Sequence, residues 1–179
     1  SMARLILSAL IAFTALHLSA QYTATVKTTV VKKESTEWRS WSDASCTMNF
    51  PSLWVAEGSG PNDRVARFLA PDLGDGGTPE QVEVFIRDAG SADLATAAAA
   101  LERSIREEDS SAQISAGTQD GDDRVIDHTG TVNGHPVQVH MRTRLHKGRL
   151  LVLKYSADPQ RFADDLYLAE AMFASFGWK

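Results

Sequence analysis

Two residues of this chain invite a chemical reading first. Asp127 and His140 lie thirteen positions apart on either side of Asn133-Gly134. That dipeptide is the strongest short hairpin signal, because both residues accept a positive φ. A tight turn there pairs Val132 with His135, then His128 with Val139 and Ile126 with Met141, so Asp127 faces His140 directly. A carboxylate beside an imidazole can orient a general base. The same two groups can also form half of a metal site. Thr129 and Gln138 fall on that face, and no nucleophile can be placed beside the pair. The plainer reading is a cross-strand polar pair on a half-exposed sheet, contributing roughly 0.2–1 kcal/mol.

Other chemistry-bearing residues are scattered. His128 falls beside Val139 on the apolar face and reads as a core or edge histidine. Asp120, Asp122 and Asp123 supply oxygen ligands of the type calcium uses, without the spacing of an EF-hand loop, so a solvated acidic turn is expected. Gly74 to Gly77 is a turn with no strand before it and no helix after it, and Asp72 and Asp75 read the same way. No P-loop, G-x-G-x-x-G, H-E-x-x-H or G-x-S-x-G is present. No cofactor is expected. Arg142, Arg144, His146, Lys147, Arg149 and Lys154 cluster around a second turn and suggest a basic hairpin tip. Trp38 and Trp41, in "TEWRSWSD", follow no simple core alternation. Together with Trp178 they are candidates for a contact surface, or for a cap over a sheet edge. The partner-binding candidates are therefore Trp38, Trp41, Arg144, Lys147 and Arg149; the metal candidates are Asp127 and His140.

Several strands must position these residues. Tyr22 to Lys32 is rich in Thr and Val, which is strand composition. "CTMNF" alternates, with Cys46, Met48 and Phe50 on one side, and stops at Pro51, which lacks the N–H a ladder needs. Trp54 follows and can fold its ring over the core edge. Strands are expected at Arg64 to Leu69 and Val82 to Arg87. A helix follows in "SADLATAAAALERSIREED", with Ser91 as its cap and Asp93 at its positive end. Its inner face carries Leu94, Ala97, Ala98, Leu101 and Ile105. After the Asn133-Gly134 hairpin, His146-Lys147-Gly148 suits a three-residue loop with a bulge. That register sets Leu151 opposite Thr143, Leu153 opposite Met141 and Tyr155 opposite Val139. One face would then hold Ile126, Val137, Val139, Met141, Leu151, Leu153 and Tyr155. A two-residue loop would move the last three to the other face. The closing helix is expected to start at "SADPQRF", with Asp158 as cap and Pro159 in its first turn. Its stripe is Phe162, Leu166, Ala169, Phe173 and Phe176.

The 179 residues suffice for one cored domain, and the formal net charge of −5 disfavours a nucleic-acid binder. The single cysteine, Cys46, rules out an internal disulfide and reads as a small buried hydrophobe. Ser1 before Met2 reads as a cloning remnant. Residues 1–20 have the positive start, short apolar run and small-residue end of a secretory signal. Residues 21–44 form an N-terminal strand and connector, and 45–179 the domain proper. The protein is expected to be periplasmic or secreted, without stable membrane insertion, and monomeric. Strands, helix, strand meander and helix in that order argue for an α+β fold with a central antiparallel sheet sandwiched by helices.

The Phe50-Pro51…Trp54 strand end resembles the PsbP-like superfamily, of the PsbP, DcrB and Ran-binding import-factor type. So do the mid-chain helix, "VNGHPVQVHMRTRLHKGRLLVLKYSA" and the closing "MFASF". The similarity spans about Ser45 to Phe176. It implies an α/β/α sandwich and a non-enzymatic accessory, assembly or protein-binding role, here with an unidentified envelope protein. Two alternatives stand beside it: a metal-dependent or general-base hydrolase using Asp127 and His140, and a carrier holding a small ligand between sheet and helix.

Overall fold

The computed structural model describes residues 36–179 apart from Leu73, Asp75 and Ala116. The expected signal at 1–20 and the strand at 22–32 lie outside those residues.

Among the described residues, eleven strands and two helices follow in the order β1 (Trp38–Ser42), β2 (Cys46–Pro51), β3 (Val55–Glu57), β4 (Arg64–Leu69), β5 (Gln81–Asp88), α1 (Leu94–Glu108), β6 (Gln113–Ile114), β7 (Thr118–Asp120), β8 (Asp123–Val132), β9 (His135–His146), β10 (Arg149–Ala157), α2 (Phe162–Ala174) and β11 (Gly177–Trp178). Eight strands make one antiparallel sheet in the order β3-β4-β5-β10-β9-β8-β6, with β7 also paired to β8. β1, β2 and β11 make a separate three-stranded sheet. β1 thus lies inside the segment expected to be a connector, yet it pairs with β2 along its whole length. No helix among the described residues is long and apolar enough to cross a membrane.

The architecture is a layered α+β sandwich. On one face of the large sheet, Ala97, Ala98 and Leu101 of α1 pack on Ile126, Val139, Met141 and Val152. The alanines let the helix backbone approach the sheet closely. On the other face, α2 and the small sheet bury Leu151, Leu153 and Tyr155 together with Met48, Phe50, Trp54 and Phe173. Burial of Phe162 and Phe173, each 6% exposed, contributes roughly 3–6 kcal/mol before entropy is subtracted.

This two-sided core corrects the expected register. His146 pairs with Arg149, so the second hairpin has a two-residue turn, with Lys147 at φ 48° and Gly148 at φ 76°. Leu151 faces Arg144, Leu153 faces Arg142 and Tyr155 faces His140. Leu151, Leu153 and Tyr155 therefore lie on the α2 side, while Ile126, Val137, Val139 and Met141 lie on the α1 side. A paired positive φ matches the right-handed strand twist, which a bulged turn would have to accommodate by other means. The first hairpin, at Asn133 (φ 52°) and Gly134 (φ 81°), has the expected pairing.

Both helix starts also differ from expectation. α1 is capped by Asp93, whose carboxylate accepts from the Thr96 N–H at 2.7 Å, and not by Ser91. α2 begins after Arg161; Asp158 instead closes the preceding turn, its carboxylate accepting from the Gln160 N–H at 2.9 Å. The buried stripe of α2 adds Leu168 and Met172 to the expected Phe162, Ala169 and Phe173.

Candidate functional site

β9 alternates along its length. Val137, Val139, Met141 and Thr143 point to the α1 side and are buried, while His140, Arg142 and Arg144 point to the α2 side. Asp127 stands directly opposite His140, and its carboxylate lies 2.6 Å from Nδ1. The register change alters what surrounds this pair. Its face is not an open polar one, because α2 lies across it. The His140 ring stacks on Phe173 with centroids 6.1 Å apart and planes at 10°. Glu170, one helical turn earlier, reaches Nε2 at 2.7 Å.

The network continues along the strand. Arg142 donates from Nε to Glu170 at 2.9 Å and from its terminal nitrogen to Asp120 at 2.7 Å. Arg144 donates to Asp123 at 2.5 Å. Burial works against the Arg142 charge, but Asp120 and Glu170 outweigh it and hold its pKa above the usual arginine value. Asp120 and Asp123 of the acidic turn thus serve arginines. Beside them a cleft of about 320 Å³ is walled by Arg142, Arg144 and Glu170 and floored by Leu151, Leu153 and Phe173.

The chemistry open to this arrangement is limited by His140 itself. A carboxylate lies within hydrogen-bond distance of each ring nitrogen, so neither nitrogen faces an open position for a metal or a substrate. The two carboxylates sit on opposite edges of the ring, so they do not converge on one ion with it. Among the described residues no group of three or more His, Cys, Asp or Glu side chains is arranged to hold a metal. The network joins α2 to the sheet. Glu170 was not foreseen, since nothing near it in sequence marks it as a partner of His140.

The remaining candidates are dispersed. Trp38 and Trp41 are three apart on one strand and so point to opposite sides. Trp41 turns inward, its ring edge-on to Phe68 at 5.9 Å, and acts as a cap; Trp38 remains 40% exposed. Trp178 is clasped by the hairpin, stacked on His146 at 4.7 Å, with the Arg149 guanidinium 4.9 Å from its ring centre. Lys147 stands at the exposed hairpin tip. His128 is opposite Val139 as expected; burial holds its pKa below the usual histidine value. Cys46 is fully buried and in no disulfide, its sulfur accepting from the Ser45 hydroxyl at 3.8 Å. Leu53, 78% exposed, and Val55, 61% exposed, were not singled out in the sequence.

No family model matches the chain. No curated protein matches it either. Solved structures do. The chain is similar to cyanobacterial PsbP (CyanoP) from Synechocystis sp. PCC 6803, with a TM-score of 0.60 at 12% identity over 80% of this chain and 94% of that one. It is similar to LpqN, described as involved in cell envelope biogenesis of Mycobacterium tuberculosis, with a TM-score of 0.54 at 13% identity over 80% and 92%. A protein of unknown function from Pseudomonas aeruginosa, PA94, aligns with a TM-score of 0.53 at 9% identity over 75% and 92%. The fold is PsbP-like.

Proposed function

We propose that this PsbP-like chain is a non-enzymatic accessory protein that works outside the cytoplasm and binds a protein of the cell envelope. The contact surface is the apolar corner of Trp38, Leu53 and Val55. One observation carries this reading: three large apolar side chains stand 40%, 78% and 61% exposed within a short stretch of fold. Trp38 pairs across β1–β2 with Pro51, and Leu53 and Val55 follow directly. Val55 opens β3, the end strand of the large sheet, whose outer edge pairs with no strand among the described residues. Grouped exposed apolar side chains and an open sheet edge are features that contact surfaces use.

Further support comes from His140, whose two nitrogens both face carboxylates of the fold rather than open space. The envelope role printed for LpqN and the signal-like 1–20 segment agree with an exported protein. The test is capture from envelope extracts by tagged residues 21–179, compared with a Trp38→Ser/Leu53→Ser double variant. Both side chains are exposed, so the variant should keep the wild-type melting temperature. A specific partner retained by the wild type and weakened about tenfold or more by the variant is expected. Equal capture by both proteins, or no specific partner, would count against the surface.

A further inference from the structure

A cleft of about 570 Å³ opens on the opposite side of the large sheet, beside α1. This lies within the 300–1,000 Å³ range typical of small-molecule sites. It is formed because α1 is one helix laid over a sheet several strands wide. The helix contacts β8 and β9, and the cleft lies beside it over β5 and β10. The cleft's apolar wall is Val139, Met141 and Val152 from the sheet and Leu101 and Ile105 from α1.

The polar wall is unusual for a sheet face. Glu83, Lys154 and Ser156 point into it from β5 and β10, and Arg64 reaches it from β4. Glu83 is 7% exposed and is paired with Lys154 at 3.0 Å and Arg64 at 3.4 Å. On the sheet wall Arg64, Arg87 and Lys154 face the single carboxylate of Glu83, a local excess of positive charge there, while Glu108 and Asp109 stand at the α1 rim. The Ser156 hydroxyl belongs to a residue 2% exposed, yet it has no hydrogen-bond partner among the described residues. The Arg64 Nε–H and His128 Nδ1 are buried and unpartnered in the same sense. Buried polar groups are normally satisfied, and several unsatisfied ones lining one cleft point to an absent acceptor-rich group. The other acids at the rim are engaged. Asp109 accepts from the Thr131 N–H at 2.7 Å, and Glu108 from the Ser104 hydroxyl at 3.4 Å.

We infer that this cleft binds an amphipathic organic anion, a carboxylate on an apolar body, with the head group at Ser156, Lys154 and Arg64 and the body against Val139, Met141 and Ile105. The head group would supply acceptors to the unpartnered donors and balance the excess cation. The apolar body would lie along the seam where α1 meets the sheet. This site is on the opposite face from the His140 network and does not depend on the protein-binding reading.

Isothermal titration of residues 21–179 with sodium decanoate, held below its micelle concentration, tests the inference. Saturable one-to-one binding is expected. Decanol and decyltrimethylammonium should bind about tenfold more weakly or worse. Ile105→Trp fills the cleft from the helix side, and Lys154→Met removes a head-group charge; each should weaken decanoate binding by a similar factor while the melting temperature confirms folding. Equal affinity for decanol and decanoate would overturn the anion assignment. Unchanged decanoate binding by both folded variants, or no saturable binding by the wild type, would overturn the site.

Discussion

Glu80 is 4% exposed at the start of α2, accepting from the Tyr155 hydroxyl at 2.9 Å and from Arg161 at 3.4 Å. Burial, and then the neighbouring Asp165 charge, push its pKa up to about 7 from an ordinary 4.5. The unfolded chain therefore releases this proton near pH 4.5, whereas the folded chain holds it until about 7. Between those values the folded state binds more protons, so stability falls as pH rises. Glu80→Gln should flatten this slope and leave the variant more stable than wild type at pH 8, by about 1–3 kcal/mol. Urea unfolding at pH 5 and pH 8 measures it; a parallel pH dependence in the two proteins would contradict the assignment. The Asp127–His140 pair was legible in the sequence because a tight Asn-Gly turn sets the pairing of both arms. Glu170 was not, because its approach depends on how α2 is rotated over the sheet, and no local pattern sets that rotation. Glu80 was hidden for the same reason: its burial is produced by a helix 80 residues further on.

At the scale of elements, β10 explains the largest departure from the sequence reading. "RLLVLKYSA" is a nearly continuous apolar run, the signature of a strand covered on both faces. Gathering every apolar residue onto one side required a bulge at Lys147-Gly148. Sharing them between two cores needs only a two-residue turn. The positions of β2, β4, β5 and β8–β10, both helices and the first hairpin follow from local periodicity and turn chemistry. The face on which each β10 residue lies depends on what covers the sheet. Gly148 has φ 76°, so Gly148→Ala should cost about 1–2 kcal/mol. Lys147 has φ 48°, which asparagine tolerates better, so Lys147→Asn should gain about 0.5–1 kcal/mol. Urea midpoints with unchanged slopes would report both. A neutral Gly148→Ala would argue for a different turn.

Across the whole molecule, the two sheets are held together through α2 and through the chain's last residues. Trp178 pairs with Cys46 in the small sheet while its ring lies against His146 and Arg149 of the large one. The Lys179 N–H also donates to the Ser45 carbonyl at 3.0 Å. Cys46 is 0% exposed on β2, the middle strand of the small sheet, and burial raises its thiol pKa. An alkylating reagent can reach that sulfur only when the strands part. Iodoacetamide should modify the folded protein far more slowly than the urea-unfolded chain, and Trp178→Ala should speed modification without unfolding the rest. Modification of folded wild type as fast as an unfolded control would refute this packing. The lone thiol is thus a built-in reporter of breathing motions at the seam between the layers, readable by mass spectrometry after alkylation.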